Sequence, residues 1–173
     1  DPRRAASRRT AAQTDQGAPM AIHIEKQFHV DQPIEQVWSF LVTPEKVVQC
    51  LPGAKLLRAL DERTFEGEIG LQLGPIGAGF RGTIHFDVLD EENHHVVMSG
   101  EGKDSHGTGA VRMTMDSTLA ARDGGGTHVS VSQDVSLSGK LASFGRGGVI
   151  QSVADFMFGR FTKCVADRLA EEG

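Results

Sequence analysis

Seven histidines, two cysteines and several glycine-rich turns are where chemistry would be sought in this chain. A metal site needs converging ligands, such as two histidines one turn apart on a helix or paired cysteines. His23, His29, His85 and His128 instead fall on the outward, polar phase of alternating segments. His94 and His95 sit at a turn and His106 in a glycine-rich loop, so the histidines are read as solvated and no metal is expected. Gly100-x-Gly102 is followed by Ser105 where a dinucleotide-binding loop needs glycine. Gly139-Lys140 lacks the flanking residues of a phosphate-binding loop. Gly145-Arg146-Gly147-Gly148 can be read two ways: as backbone N–H groups offered to an anion, or as a flexible helix start that admits a ligand. No serine sits in a nucleophile elbow. Asp104 and Asp134 lie on strands and are read as surface groups, and tyrosine is absent as a general acid. Proton transfer needs a positioned acid or base, and none stands out, so no enzyme activity is expected. Cys50 and Cys164 are too few for a secreted disulfide framework and are read as reduced, buried thiols.

What remains is an apolar interior. Residues 22–30 alternate, with Lys26 interrupting the apolar phase, and form one strand. Asp31 is taken as an N-cap, and Ile34, Val37, Trp38, Leu41 and Val42 follow helical spacing. A second short helix starts at Thr43-Pro44 and ends at Cys50-Leu51-Pro52-Gly53. About six further strands run from Ala54 to Leu137, with Gly74-Pro75-Ile76-Gly77 and Asp123-Gly124-Gly125-Gly126 as turns. Glycines within the strands, such as Gly67, Gly82, Gly100 and Gly102, would let the sheet curl. From Val149 to Leu169, apolar residues recur at steps of three and four, one long helix with a broad apolar face. The fold class expected is α+β: a curved antiparallel sheet of about seven strands around a long C-terminal helix, with two short helices after the first strand.

A helix laid across a curved sheet can enclose a cavity, and the inward phases say what lines it. Phe65, Ile69 and Leu71, then Phe80, Ile84 and Phe86, point inward by alternation. So do Met98, Met113, Met115 and Val131, with Gln133 as the polar exception. The helix would add Val149, Val153, Phe156 and Met157. Methionine suits a wall that adapts to varied ligands. A portal is expected where glycine meets an apolar tip: Gly74, Pro75 and Ile76 on one side, Phe144, Gly145 and Arg146 on the other. The net charge of −5 argues against nucleic acid as a partner, and no apolar run reaches the roughly 20 residues of a membrane span. Residues 1–19, with Arg3, Arg4, Arg8 and Arg9 and no apolar stretch behind them, are read as a flexible or added extension before the domain at 20–173.

Several blocks together resemble one family. They are Phe28-x-Val30-x-x-Pro33-x-x-x-Val37-Trp38, Cys50-Leu51-Pro52-Gly53-Ala54, Gly74-Pro75-Ile76 with Phe80-x-Gly82, and Gly139-Lys140-Leu141-Ala142 leading to Gly145-Arg146. From Ala21 to about Leu169 the chain resembles the CoxG family of carbon-monoxide dehydrogenase accessory proteins, within the START and birch-pollen-allergen helix-grip (SRPBCC) superfamily. The resemblance implies a non-catalytic accessory protein with no covalent cofactor. It implies a bound menaquinone, ubiquinone or other lipid as the lipophilic small molecule. The implied partner is a molybdenum hydroxylase complex of the carbon-monoxide dehydrogenase type. The implied location is cytoplasmic, peripheral on the cytoplasmic membrane. Many such members continue into a flexible linker and an apolar tail; Ala170 to Gly173 are not of that kind, so anchoring by a tail is not expected. Two alternatives stay beside this reading: a polyketide-cyclase-like or hydrolase enzyme using the same cavity, and a protein–protein adaptor with a filled core.

Overall fold

The computed structural model describes residues 20–73, 75–107, 109–145 and 148–172. The extension at 1–19 lies outside them. Strand β1 (Met20–Val30) alternates buried and exposed residues along its length, as its sequence dictates. Helix α1 (Ile34–Leu41) follows, and its N-cap is Pro33, without a side-chain cap, rather than the expected Asp31. Val37, Trp38 and Phe40 are its buried face. Thr43 precedes α2 (Pro44–Val47), with Pro44 in the first helical position, where its missing N–H costs nothing. A 3-10 turn, Val48–Cys50, completes this bent element.

Six strands then run in succession: β2 (Ala54–Ala59), β3 (Thr64–Leu73), β4 (Ile76–Asp90), β5 (His95–Asp104), β6 (Gly109–Ala121) and β7 (Thr127–Gly139). Strand β4 starts at Ile76, so the turn before it is tighter than the sequence suggested. All neighbours are antiparallel in one sheet of order β1-β7-β6-β5-β4-β3-β2. A 3-10 segment, Lys140–Gly145, leads to α3 (Val149–Glu172).

The sheet curls where glycines align across it. Gly67, Gly82 and Gly102 stand opposite one another on β3, β4 and β5. A Cβ on Gly82 would run into the Glu101 carbonyl oxygen, so the strands approach too closely there for a side chain. These glycines share the inward phase with Phe65, Phe80 and Ile84. They bend the sheet and also leave its concave floor bare of side chains.

Two clusters form the core. One holds Phe28, Val37, Trp38, Phe86, Val96, Val129, Val165 and Leu169, among others. The second holds Ile22, Ile24, Leu73, Phe80, Leu137 and Leu141. Among the described residues of α3 only Val165 and Leu169 are buried, both in its C-terminal half. That half is fastened in several ways. Gln36 donates to the Leu169 carbonyl at 3.0 Å, and Lys46 pairs with Glu172 at 3.2 Å. Cys50 and Cys164 form a disulfide, with Cα atoms 5.4 Å apart. The expectation of reduced thiols is therefore wrong. A count of cysteines carries no information on distance, and here the fold brings together two residues 114 positions apart.

Candidate ligand cavity

The N-terminal half of α3 does not sink onto the sheet, and a cavity of about 450 Å³ opens beneath it. Both clusters contribute walls, Phe28 and Phe86 from one and Ile24 and Phe80 from the other. The size lies within the ordinary range for a small-molecule site, and the walls are mostly apolar.

Most of the residues read from alternation meet in this space. Phe65, Ile69 and Leu71 of β3 line it, as do Phe80, Ile84 and Phe86 of β4. Met98 of β5, Met113 and Met115 of β6, and Val131 and Gln133 of β7 complete the floor. Gly67, Gly82, Gly100 and Gly102 lie between them and provide the room. Gln133 Nε2 donates to the Met115 sulfur at 3.4 Å.

The helix contribution needs correction. Met157 lines the cavity, together with Ala154, Phe158 and Phe161. Val149 and Val153 pack against the second cluster instead. Phe156 is 57% exposed, with the Arg160 guanidinium 5.8 Å from its ring centre. The stripe that faces inward is 150, 154, 157, 161 and 165. Phe156 stands one residue off it, about 100° around the helix.

The portal residues fare differently again. Gly74 and Arg146 lie outside the described residues. Pro75 and Ile76 belong to the β3–β4 hairpin, and Ile76 is 51% exposed. Phe144 packs against the second cluster and Gly145 lies against Met20. None of these four lines the cavity. Its wall is made instead by Pro44, Val47, Val48 and Leu51, facing α3, with Ala54 to Leu56 at the sheet edge. Sequence reasoning missed this wall because the short helices looked like a brace. Leu51, directly after Cys50, was the available signal.

Lys26 was also passed over. It occupies the inward phase of β1, lines the cavity, and pairs with Asp155 of α3. Its Nζ is 5.8 Å from the centre of the Phe158 ring. At the sheet edge Glu66 accepts from Arg81 at 2.8 Å and Arg58 at 3.4 Å. The Arg81 hydrogen bond foremost holds the Glu66 carboxyl below its usual range.

No histidine is among the residues lining the cavity. His23 bonds Asp134 at 2.7 Å, which raises its pKa, with Glu25 adding to the effect. His29 stacks beside His128, their ring centres 4.6 Å apart, and its pKa is lowered by burial first, then by Arg122 and His128. Among the described residues no group of three or more His, Cys, Asp or Glu could hold a metal ion. Asp134 is exposed as expected, whereas Asp104 is only 8% exposed and accepts the His106 backbone N–H at 3.2 Å. The surface reading of Asp104 is thus corrected. Among the described residues, no helix is long and apolar enough to cross a membrane.

A seven-stranded curved sheet gripping a long C-terminal helix over an apolar cavity is the architecture of the START and birch-pollen-allergen class. Residues 27–170 match the family model of the carbon monoxide dehydrogenase CoxG subunit. The chain belongs to that family. No curated protein matches it by sequence. Among solved structures, it is similar to a conserved protein from Geobacillus kaustophilus, at 18% identity and TM-score 0.77, covering 87% of this chain and 96% of that one. The Zhui aromatase/cyclase from Streptomyces sp. R1128 is similar at 11% identity and TM-score 0.63, covering 87% and 94%. A START superfamily protein from Mycobacterium smegmatis is similar at 11% identity and TM-score 0.59, covering 87% and 99%. At these identities the likeness is one of fold.

Proposed function

We propose that this protein is a non-catalytic carrier of an isoprenoid quinone, menaquinone or ubiquinone. In this reading it serves a molybdenum hydroxylase of the carbon-monoxide dehydrogenase type at the inner face of the cytoplasmic membrane. The observation that carries the reading is the apolar cavity under the lifted half of α3, in a chain of the CoxG family. A quinone ring with a short stretch of prenyl chain suits such a space, and a longer tail leaves through its mouth. That mouth is assigned to the gap between α3 and the segment from Pro44 to Leu51, in place of the portal read from sequence.

The fold is shared with a cyclase, so an enzyme using the cavity is the second reading. Its candidate acids and bases would be Lys26, Glu66, Glu68 and Glu101 on the walls. The test is extraction of the purified protein with organic solvent followed by mass spectrometry, then titration of the stripped protein with menaquinone and ubiquinone. A recovered quinone, or saturable rebinding with the quinone unchanged afterwards, is the expected result. Absence of both would refute the carrier reading, and chemical conversion of the bound molecule would favour the enzyme.

A further inference from the structure

The cavity floor is apolar except in one corner, and strand register defines that corner. Lys26 of β1 stands opposite Val131 of β7, which stands opposite Ser117 of β6. Gln133 is two residues along β7 and so shares the inward face with Val131. Three polar side chains thus surround one valine, on strands about 4.8 Å apart. All three line the cavity, and Ser117 is only 4% exposed. A cation placed on the inward phase of a strand is costly unless it has a task or a partner.

Lys26 has a partner, but one that can be given up. Its ammonium meets Asp155, whose side chain is 64% exposed. An ion pair with one member so well hydrated contributes little, so Lys26 loses little by turning to a ligand. Gln133 is in a similar position, because its Nε2 donates to a thioether sulfur, a weak acceptor. Two donors held by poor partners, side by side on an apolar floor, fit an acceptor oxygen on an otherwise apolar molecule. Phe158 lies beside Lys26 and offers a ring face to a planar headgroup.

Resting on the carrier reading above, we propose that the quinone headgroup sits at the Lys26–Gln133 corner. There the Lys26 ammonium donates to one ring carbonyl and the Gln133 amide donates to an oxygen of the same ring. The prenyl chain then runs along the bare glycine floor toward Ile69 and Leu71. Lys26 and Gln133 thus distinguish a headgroup with acceptor oxygens from a plain hydrocarbon.

The test displaces the neutral probe N-phenyl-1-naphthylamine from the full chain with decylubiquinone, palmitate, or phytane, which has no headgroup. Lys26→Met should weaken decylubiquinone binding about tenfold, the value of one charge-assisted hydrogen bond, and leave phytane unchanged. Asp155→Asn, which frees the ammonium, should bind decylubiquinone as tightly as wild type or more so. If Lys26 served only to fix α3, Asp155→Asn would weaken binding just as Lys26→Met does, and that result overturns the proposal. Should Lys26→Met fail to fold, Gln133→Leu carries the test, with a loss of about threefold or more expected for decylubiquinone alone; an unchanged affinity overturns the proposal. If wild type binds decylubiquinone and Lys26→Met binds it equally, the corner is refuted while the carrier reading stands. If wild type binds phytane or palmitate but no decylubiquinone, the carrier reading itself fails.

Discussion

Reducing the Cys50–Cys164 bridge should loosen the fold by a calculable amount. The bridge joins positions 114 apart in sequence. For a loop of that length the chain-entropy relation gives about 16 cal/mol/K, or about 4.8 kcal/mol at 25 °C. Single domains have roughly 5–15 kcal/mol of stability in total, so the effect is large. The assay is urea unfolding followed by fluorescence of Trp38, the single tryptophan and a core residue, with and without a thiol reductant. With a slope of about 2 kcal/mol/M, the midpoint should fall by up to about 2 M on reduction. Val165 and Leu169 stay packed in the reduced protein, so it should still fold. The bridge also ties Val48–Cys50 to α3, two walls of the same cavity. Ligand release should therefore quicken on reduction. A shift below about 0.5 M, with both thiols shown to be free by alkylation, would refute the reasoning. It would mean that the helix end is already held by Gln36, Lys46 and the buried apolar contacts alone.

Other outcomes follow from the same structure. Leu169→Ala should cost about 2–5 kcal/mol in thermal or urea unfolding, whereas Phe156→Ala should stay within about 0.5 kcal/mol, because only the former is buried. A Cβ on Gly100 meets only ordinary contacts, 3.4 Å to the Thr83 carbonyl oxygen and 3.7 Å to Met113. Gly100→Leu should therefore fill the cavity and abolish probe binding without lowering the melting temperature. Two histidines should titrate in opposite senses by NMR. His23, its pKa raised from 6.5 by Asp134, contributes stability that is complete below pH 6.5 and is lost as pH rises through the folded-state value. His29, its pKa lowered from 6.5 chiefly by burial, contributes stability that is present above pH 6.5 and is lost as pH falls through its folded-state value. Observing both histidines at the ordinary value would contradict the contacts described.

The strands were legible because alternation is local. Phe65, Phe80, Met98 and Met113 could be placed on one wall from their neighbours alone, and the sheet order followed from short turns. The helix was legible as a helix but not in its rotation. Val149, Val153, Phe156 and Met157 all look apolar in sequence. Which of them faces the sheet depends on where the C-terminal half is fastened, by Cys164, Val165 and Leu169. That is a tertiary fact. The same holds for the disulfide and for the wall from Pro44 to Leu51. Lys26 was visible as an interruption of the apolar phase, yet its meaning needed the register that sets it beside Val131 and near Gln133.

The cavity persists for three separable reasons. Glycines on the inward phase remove the side chains that would fill it. The fastening of α3 is confined to one half, so apolar attraction alone must pull the other half down. Lys26 and Asp155 tie the lifted half to β1 at the rim of the space, where collapse would bury both charges. A dry void has a cost of about 24 cal/mol per Å³, so 450 Å³ held empty would cost about 11 kcal/mol, as much as a whole domain has. The space must therefore be filled, and apolar walls give water few partners. An apolar occupant removes that cost and is bound more tightly for doing so. In a carrier of this design the ligand is part of the fold's stability, and release requires something that compensates for its loss: a membrane, a partner protein, or the opening of the helix itself.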